Sequence, residues 1–156
     1  MISLLIHAVL GVATTAWMVR VNIHLFRGGW AGIRVTSLEA VYYAIAIASV
    51  CLGWYFNIRY VQQYGHKASW PNYISLLWKN WAADSASQDY FFANLLIFPL
   101  WIVSDGRRQG LRMPWGFFVM SLFTSFGFSM AGYLAFVERQ VRYTKAHAPE
   151  PASVLS

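Results

Sequence analysis

The sequence predicts an all-α integral membrane protein: a bundle of four transmembrane helices with a short interfacial helix in its long second loop. Three observations predict this fold. Hydrophobic residues make up 58% of the 156 positions and charged residues only 12%, against about 25% charged in an average soluble domain. Long uncharged runs recur along the chain. The Lys and Arg residues lie almost entirely between these runs, where membrane proteins use them to anchor helix ends.

The first predicted helix covers residues 2–19 and is closed by Arg20. Eighteen residues are just enough to cross a bilayer. A cleaved signal peptide would carry a basic start and a small-residue cleavage site. This run instead starts with apolar residues and ends in Trp17, Met18 and Val19, so we expect a retained helix.

The next two helices are predicted over residues 40–58 and 88–104. The first of them follows a Gly-rich loop and is capped by Ser37. The second contains Pro99, which removes a helical hydrogen bond, so we expect a kink there.

The long connection between them contains an amphipathic stretch that begins at Pro71. Ile74, Leu77, Trp78 and Trp81 share one face at helical spacing, which is typical of a helix lying in the membrane surface. A lid packed over the bundle is the alternative interpretation of the same pattern, and it stays open.

The fourth predicted helix covers residues 113–137, the longest uncharged run of the chain. As one helix it would be about 37 Å long, more than the roughly 30 Å hydrocarbon core. Its small residues predict close packing against other helices. These packing candidates are Ser125, Gly127, Ser129 and Ala131.

Residues 1–140 are therefore expected to form one transmembrane domain, and residues 141–156 a polar, disordered tail. With four crossings both chain ends lie on the same side of the membrane, and six basic residues fall on each side, so the charge distribution does not assign an orientation.

The stretch 42–139 resembles a small bacterial membrane-protein family catalogued as domain of unknown function 2834. The residues that carry the resemblance are Trp54-Tyr55-Phe56-Asn57, Phe91-Phe92-Ala93-Asn94-Leu95, Asp105-Gly106-Arg107-Arg108-Gln109-Gly110, Trp115, Phe126-Gly127-Phe128-Ser129, Tyr133-Leu134 and Glu138-Arg139. The resemblance leaves the first helix outside and implies the architecture without an activity. The family usually has Asp where this chain has Asn94.

Four residues are candidates for binding a ligand or a lipid: Asn94, Arg107, Arg108 and Trp115. Asn94 lies inside an apolar run, where a polar group serves either helix packing, through Ser121, Thr124 or Ser125, or a ligand. Asp105 with the two arginines forms either a clamp for a lipid phosphate or a simple charged anchor that fixes the turn.

No cofactor is implied by any motif, because the sequence contains no HxxxH, ExxH or CxxC spacing. His7 is the one histidine inside a predicted span and therefore the one weak candidate for a metal ligand. A hydrogen bond across helices is the more ordinary role for such a residue.

Two classes of function remain open. The first is a non-catalytic protein, either an accessory or structural subunit of a membrane complex or a lipid- or isoprenoid-binding protein. Its expected partners are the lipid bilayer, other membrane subunits or a second copy, and a hydrophobic small molecule. Nucleic acid is not expected, because basic residues are not interleaved with exposed aromatics.

The second class is a membrane-embedded enzyme, similar to a terpene or carotenoid cyclase or isomerase, that uses carboxylic acids for proton transfer. Its candidate catalytic residues are Asp105, Glu138, Asp89 and Glu39. All four lie at or beyond predicted helix ends, where water would compete, and Asp105 and Glu138 are expected on opposite membrane faces.

Overall fold

The computed structural model describes residues 2–27 and 34–148, and the regular elements in these ranges are all helical. The seven α-helices are α1 (Ile2–Val21), α2 (Ser37–Tyr64), α3 (Trp70–Leu77), α4 (Trp81–Phe91), α5 (Phe98–Gln109), α6 (Gly116–Phe123) and α7 (Phe126–Ala146). Short 3₁₀ turns follow α1 and α2, and a π-helical segment, Phe92–Ile97, joins α4 to α5. Most of the predicted Gly-rich loop and the tail beyond residue 148 lie outside the described residues.

Within residues 2–27 and 34–148, two helices are long and apolar enough to cross a membrane, with spans at Leu4–Val21 and Ser37–Lys67. The second helix is longer than predicted. The Thr36 hydroxyl caps it by accepting from the Glu39 N–H at 3.1 Å, and it continues past Arg59 to Gly65, whose φ of 54° ends it. A charged residue ends an apolar run without ending the helix. The uncharged run 40–58 therefore predicted a helix shorter than α2 is.

The third predicted helix is also longer, and its irregularity lies just before Pro99. The chain is helical from Trp81 to Gln109, and within the π segment the Phe98 N–H bonds to the Ala93 carbonyl five residues back. A proline lacks an N–H and its ring clashes with the carbonyl four residues earlier, so a wider turn at this point relieves both problems.

The prediction of a single helix over 113–137 is wrong. The chain breaks at Thr124 and Ser125, and α7 turns back against α6 as a helical hairpin. The Ser125 hydroxyl caps α7 by accepting from the Phe128 N–H at 3.1 Å. The Phe117 ring on α6 contacts the rings of Tyr133 and Phe136 on α7, with centroids 5.4 and 5.2 Å apart. Hydropathy counts apolar residues and does not detect that Ser125 starts a new helix.

The hairpin brings the end of α7 back to the level at which α6 begins. We call this end of the bundle the base end: α1, α5 and α7 finish there, and α2 and α6 begin there. At the far end α2 finishes and α4 begins. The residues that join the hairpin arms, 123–126, form the hairpin tip.

The hairpin also overturns the expected separation of Asp105 from Glu138. The Tyr133 hydroxyl donates to Asp105 at 2.5 Å, and Glu138 follows little more than one turn later on α7. Both acids therefore lie at the base end. The expected disordered tail from residue 141 is wrong as far as Ala146, because α7 continues to that residue.

A helix exists in the long connection, as predicted, but it is short, and its position in the membrane surface stays a prediction. Ser69 caps α3, Pro71 lies in its first turn, and it ends at Leu77, so Trp81 belongs to the next helix rather than to the same face. Its outer face is open: the Ile74 side chain is 45% exposed, and that of Trp81 on α4 is 90% exposed.

Candidate functional site

An apolar groove lies between α1 and α2 beside the hairpin tip. Its volume is about 480 Å³. It is lined by Ala8, Gly11, Val12, Thr15 and Ala16 of α1, Val50 and Trp54 of α2, and Phe123, Thr124 and Phe128 of the hairpin. Pockets that bind small molecules commonly measure about 300–1,000 Å³.

The hairpin tip makes the groove by standing between the two long helices. On the α1 side, Gly11 approaches so closely that a Cβ there would lie 2.8 Å from the Phe123 carbonyl oxygen. On the α2 side, the Ser49 and Ser125 hydroxyls share a hydrogen bond of 2.9 Å. The tip therefore contacts both helices, and the space beside it is not filled by protein.

The lining presents hydrocarbon rather than polar groups. The Thr15 hydroxyl donates to the Gly11 carbonyl and the Thr124 hydroxyl to the Met120 carbonyl, each at 2.7 Å. Both threonines thus satisfy their hydroxyls within their own helices. Among the lining residues of the described chain none is ionisable.

Asn94 forms a buried polar contact next to the hairpin. Its side chain lies in the π segment and is 2% exposed. The Ser121 hydroxyl donates to Asn94 Oδ1 at 3.1 Å, and Asn94 Nδ2 donates to the Tyr90 hydroxyl at 2.9 Å. Ser121 is one of the three predicted partners. The amide thus joins the π segment to α6, while its role in binding a ligand stays a prediction.

A buried ionic cluster joins α2 to α7 at the base end. Glu39 is fully buried and forms salt bridges with Arg139 and Arg142. The Tyr43 hydroxyl donates to Glu39 Oε1 at 2.8 Å, and the Arg139 guanidinium lies 4.4 Å from the centre of the Phe26 ring. The expectation that water surrounds Glu39 is therefore wrong.

Glu138 is not the partner of its neighbour Arg139. Both side chains contact the start of α2, but at different residues: Arg139 pairs with Glu39, while Glu138 accepts a long hydrogen bond of 3.5 Å from Thr36, the cap of that helix. Sequence reasoning missed Tyr43 and Arg142 because their contribution depends on how α2 and α7 pack.

The local salt bridge expected for Asp105 with Arg107 or Arg108 does not form, and a clamp for a lipid phosphate stays a prediction. Asp105 accepts from Tyr133 and, at 3.5 Å, from Gln109, and no salt bridge joins it to either arginine. Both arginine side chains are exposed at the end of α5. They remain lipid-binding candidates.

The other candidate residues lie apart from one another. Trp115 is 45% exposed and packs against Trp17, with ring centroids 5.3 Å apart. Asp89 is exposed and accepts from the Gln88 amide at 2.5 Å. His7 accepts a hydrogen bond of 3.2 Å from the Trp70 indole on α3. In the described ranges no three His, Cys, Asp or Glu residues are grouped so that they could hold a metal.

The four packing candidates all lie at or near helix contacts of α7. Ser125 bonds to Ser49, a Cβ at Gly127 would lie 3.1 Å from the Ser49 Cβ, Ser129 donates to the Phe117 carbonyl, and Ala131 is buried.

Asn22 was missed by sequence reasoning. It is fully buried after α1, donates to the Arg112 carbonyl at 3.1 Å and accepts from the Arg112 N–H at 3.0 Å. An amide placed directly after an apolar span was the available signal.

Comparison with known proteins identifies the family. No curated protein and no solved structure matches the chain. Residues 41–139 match the family described as "Protein of unknown function DUF2834", in agreement with the resemblance over 42–139, and α1 precedes the matched region. Because this match covers more than half of the chain, the protein belongs to that family of unknown function.

Proposed function

We propose that the protein is a non-catalytic, multi-pass membrane protein that holds the hydrocarbon chain of a lipid in the groove beside the hairpin tip. In this arrangement α1, α2 and the continuous α4–π–α5 unit cross the membrane. The α6–α7 hairpin enters from the base end and returns to it. The α4–π–α5 unit runs from Trp81 to Gln109 and is about 43 Å long, and its uncharged part, residues 90–104, accounts for about 22 Å of that length. Crossing the membrane with this unit therefore places Asp89 and Asp105 close to the two headgroup regions.

The groove is the observation that carries this proposal, because its depth suits a hydrocarbon chain. Gly11 and Val12 lie midway along the span Leu4–Val21. Val50 and Trp54 lie near the middle of Ser37–Lys67. A gap at this depth is surrounded by lipid tails rather than water, so a hydrocarbon chain fills it through van der Waals contacts with its apolar lining.

The chemistry of the lining favours binding over catalysis. Proton transfer to an alkene needs a carboxylic acid within hydrogen-bonding reach of the substrate. None of the lining residues is an acid. The three candidate acids at the base end already have partners within the protein: Glu39 pairs with Arg139 and Arg142, Asp105 accepts from Tyr133, and Glu138 accepts from Thr36. The groove therefore supports the enzyme alternative less well.

A lipid analysis of the full-length protein tests the proposal. The protein is purified in a mild detergent, extracted with organic solvent, and the bound lipids are identified and counted by mass spectrometry. Ala16→Trp places an indole in the groove. Ala13→Trp is the matched control, because Ala13 is also exposed on α1 but does not line the groove.

We expect the wild-type protein and Ala13→Trp to retain lipid in stoichiometric amounts and Ala16→Trp to lose most of it. Phospholipid in the extract identifies an acyl chain as the occupant, and an isoprenoid in its place identifies a prenyl chain. Equal lipid content in the two tryptophan variants would overturn the proposal, as would a stoichiometric membrane protein in place of lipid.

A further inference from the structure

The basic residues are distributed unevenly between the two ends of the bundle. Nine of the twelve Lys and Arg residues lie at the base end: Arg20, Arg27, Arg34, Arg107, Arg108, Arg112, Arg139, Arg142 and Lys145. The remaining three lie at the far end: Arg59, Lys67 and Lys79. A fourth crossing would have divided them equally. The hairpin returns Arg139, Arg142 and Lys145 to the base end, and the balance becomes nine to three.

Most of the positive charge at the base end is available at the surface. Arg139 and Arg142 are occupied by Glu39, but the other seven side chains are exposed, and within the described residues none of these seven forms a salt bridge. The two further acids at this end, Asp105 and Glu138, are half-buried and accept hydrogen bonds from Tyr133 and Thr36. The base end therefore presents a cationic surface with little compensation from acids.

This charge lies where lipid headgroups are expected. Arg20 and Arg27 flank the end of α1, Arg107 and Arg108 end α5, and Arg112 precedes α6, so all five lie at the base end. The half-exposed Trp115 and its partner Trp17 lie at the same level, as in the aromatic belts of membrane proteins.

We propose that the base end faces the cytoplasm and that its exposed arginines bind the phosphate groups of anionic lipids in the cytoplasmic leaflet. The proposal rests on the membrane insertion proposed above. Loops rich in Lys and Arg stay on the cytoplasmic side, and that leaflet carries the anionic lipids that attract them. The guanidinium group suits this role because it binds phosphate through two parallel hydrogen bonds.

The orientation of each crossing follows. α1 crosses the membrane from the outer to the cytoplasmic side. α2 crosses back to the outer side, and the α4–π–α5 unit crosses to the cytoplasmic side again. The hairpin then dips into the membrane from the cytoplasmic side, and α7 ends there. The chain ends described here thus lie on opposite sides of the membrane, in contrast to the four-helix arrangement.

Labelling of single cysteines in intact cells tests the orientation. Cys51 is exposed on α2 and is first replaced by alanine. One cysteine is then introduced at Met113 before α6, at Ala146 at the end of α7, or at Gln63 near the far end, all exposed positions. A membrane-impermeant maleimide is applied before and after the cells are permeabilised.

We expect Gln63→Cys to be labelled in intact cells, and Met113→Cys and Ala146→Cys only after permeabilisation. The reverse pattern would overturn the orientation and leave the hairpin and groove intact. Labelling of Met113→Cys and Ala146→Cys from different sides would show instead that the last segment crosses the membrane, and would overturn the hairpin arrangement itself.

Lipid selectivity of the purified protein tests the binding surface independently of orientation in the cell. The full-length protein is reconstituted into vesicles of equal parts phosphatidylglycerol and phosphatidylcholine, and the lipids retained on extraction are counted. One variant changes Arg107, Arg108 and Arg112 to Gln. The matched control changes Arg59, Lys67 and Lys79 to Gln and removes the same charge from the far end.

We expect the base-end variant to lose its preference for phosphatidylglycerol by between about fivefold and about a hundredfold, since each of its three removed arginines contributes up to about fivefold near an anionic surface. The wild type and the far-end control should retain the preference. Equal loss in both variants would indicate a non-specific charge effect and overturn the assignment of the lipid site to the base end, as would no loss in either.

Discussion

Glu39 of α2 and Arg139 of α7 form a buried salt bridge across 100 positions of the sequence. Only tertiary packing creates this pair, and it fastens the start of one candidate membrane span to the returning arm of the hairpin. The Glu39 carboxylate has no contact with solvent, so its charge is compensated entirely by Arg139, Arg142 and the Tyr43 hydroxyl.

Replacing Glu39 by Gln should therefore destabilise the protein strongly. It leaves the buried Arg139 without its counter-charge, and breaking a buried pair of this kind costs about 3–5 kcal/mol. The change is measured from the free energy of unfolding in mixed micelles, followed by tryptophan fluorescence. Glu138→Gln is the control, with an expected loss of at most about 1 kcal/mol, because Glu138 is half-buried and accepts one long hydrogen bond. Similar losses in the two variants would contradict the importance of the buried pair.

Gly127→Ala should loosen the contact between α2 and α7. A methyl group there would overlap the Ser49 hydroxyl, which cannot turn away without losing its bond to Ser125. Overpacking of this kind costs about 1–3 kcal/mol. Gly132→Ala on the same helix is the matched control.

At Gly132 the added methyl would lie 3.5 Å from the Met120 side chain, an ordinary contact. The control should therefore gain up to about 1 kcal/mol from improved helix propensity. The thermal midpoint of monodisperse protein in detergent distinguishes the two variants. A destabilised Gly132→Ala or an unchanged Gly127→Ala would argue against the close approach seen at Ser49.

Asn94→Ala should weaken the attachment of the π segment to α6. The substitution removes the hydrogen bonds with Ser121 and Tyr90, and interhelical hydrogen bonds in membranes contribute about 0.6–1.7 kcal/mol. Asn57→Ala on α2 is the control, because Asn57 is half-buried and makes no side-chain hydrogen bond within the described residues. Hydrogen exchange of the amides in residues 92–97 measures the effect, and equal exchange in both variants would contradict it.

Tyr133→Phe and Asp105→Asn should differ in stability, although both affect the hydrogen bond between these two residues. Asparagine retains an oxygen that accepts from Tyr133, so Asp105→Asn should leave expression and assembly mostly intact. Phenylalanine leaves the half-buried Asp105 without its main donor and should cost about 1–3 kcal/mol. Chemical denaturation in detergent measures both. Loss of an isoprenoid-cyclising activity in Asp105→Asn would support the enzyme alternative.

Several features follow from local patterns and are predictable from the sequence. The helical character follows from uncharged runs, the position of the first helix from the run 2–19, and the resemblance over residues 42–139 agrees with the family match. Asn94 was identified as a buried amide with Ser121 among its partners because few hydroxyls lie near it in an apolar setting. The groove was not predictable, because its lining comes from three separate parts of the chain.

By itself the sequence determined that the chain forms long apolar helices, roughly where the first three lie, and which small residues let them pack closely. Tertiary structure decided that the longest apolar run folds back at Ser125 instead of forming one helix, that Glu39 is buried, and that the basic residues collect at one end. The physical reason is that hydropathy measures how favourably a segment leaves water. The direction in which the segment then runs depends on helix caps and on helix contacts between residues far apart in the chain.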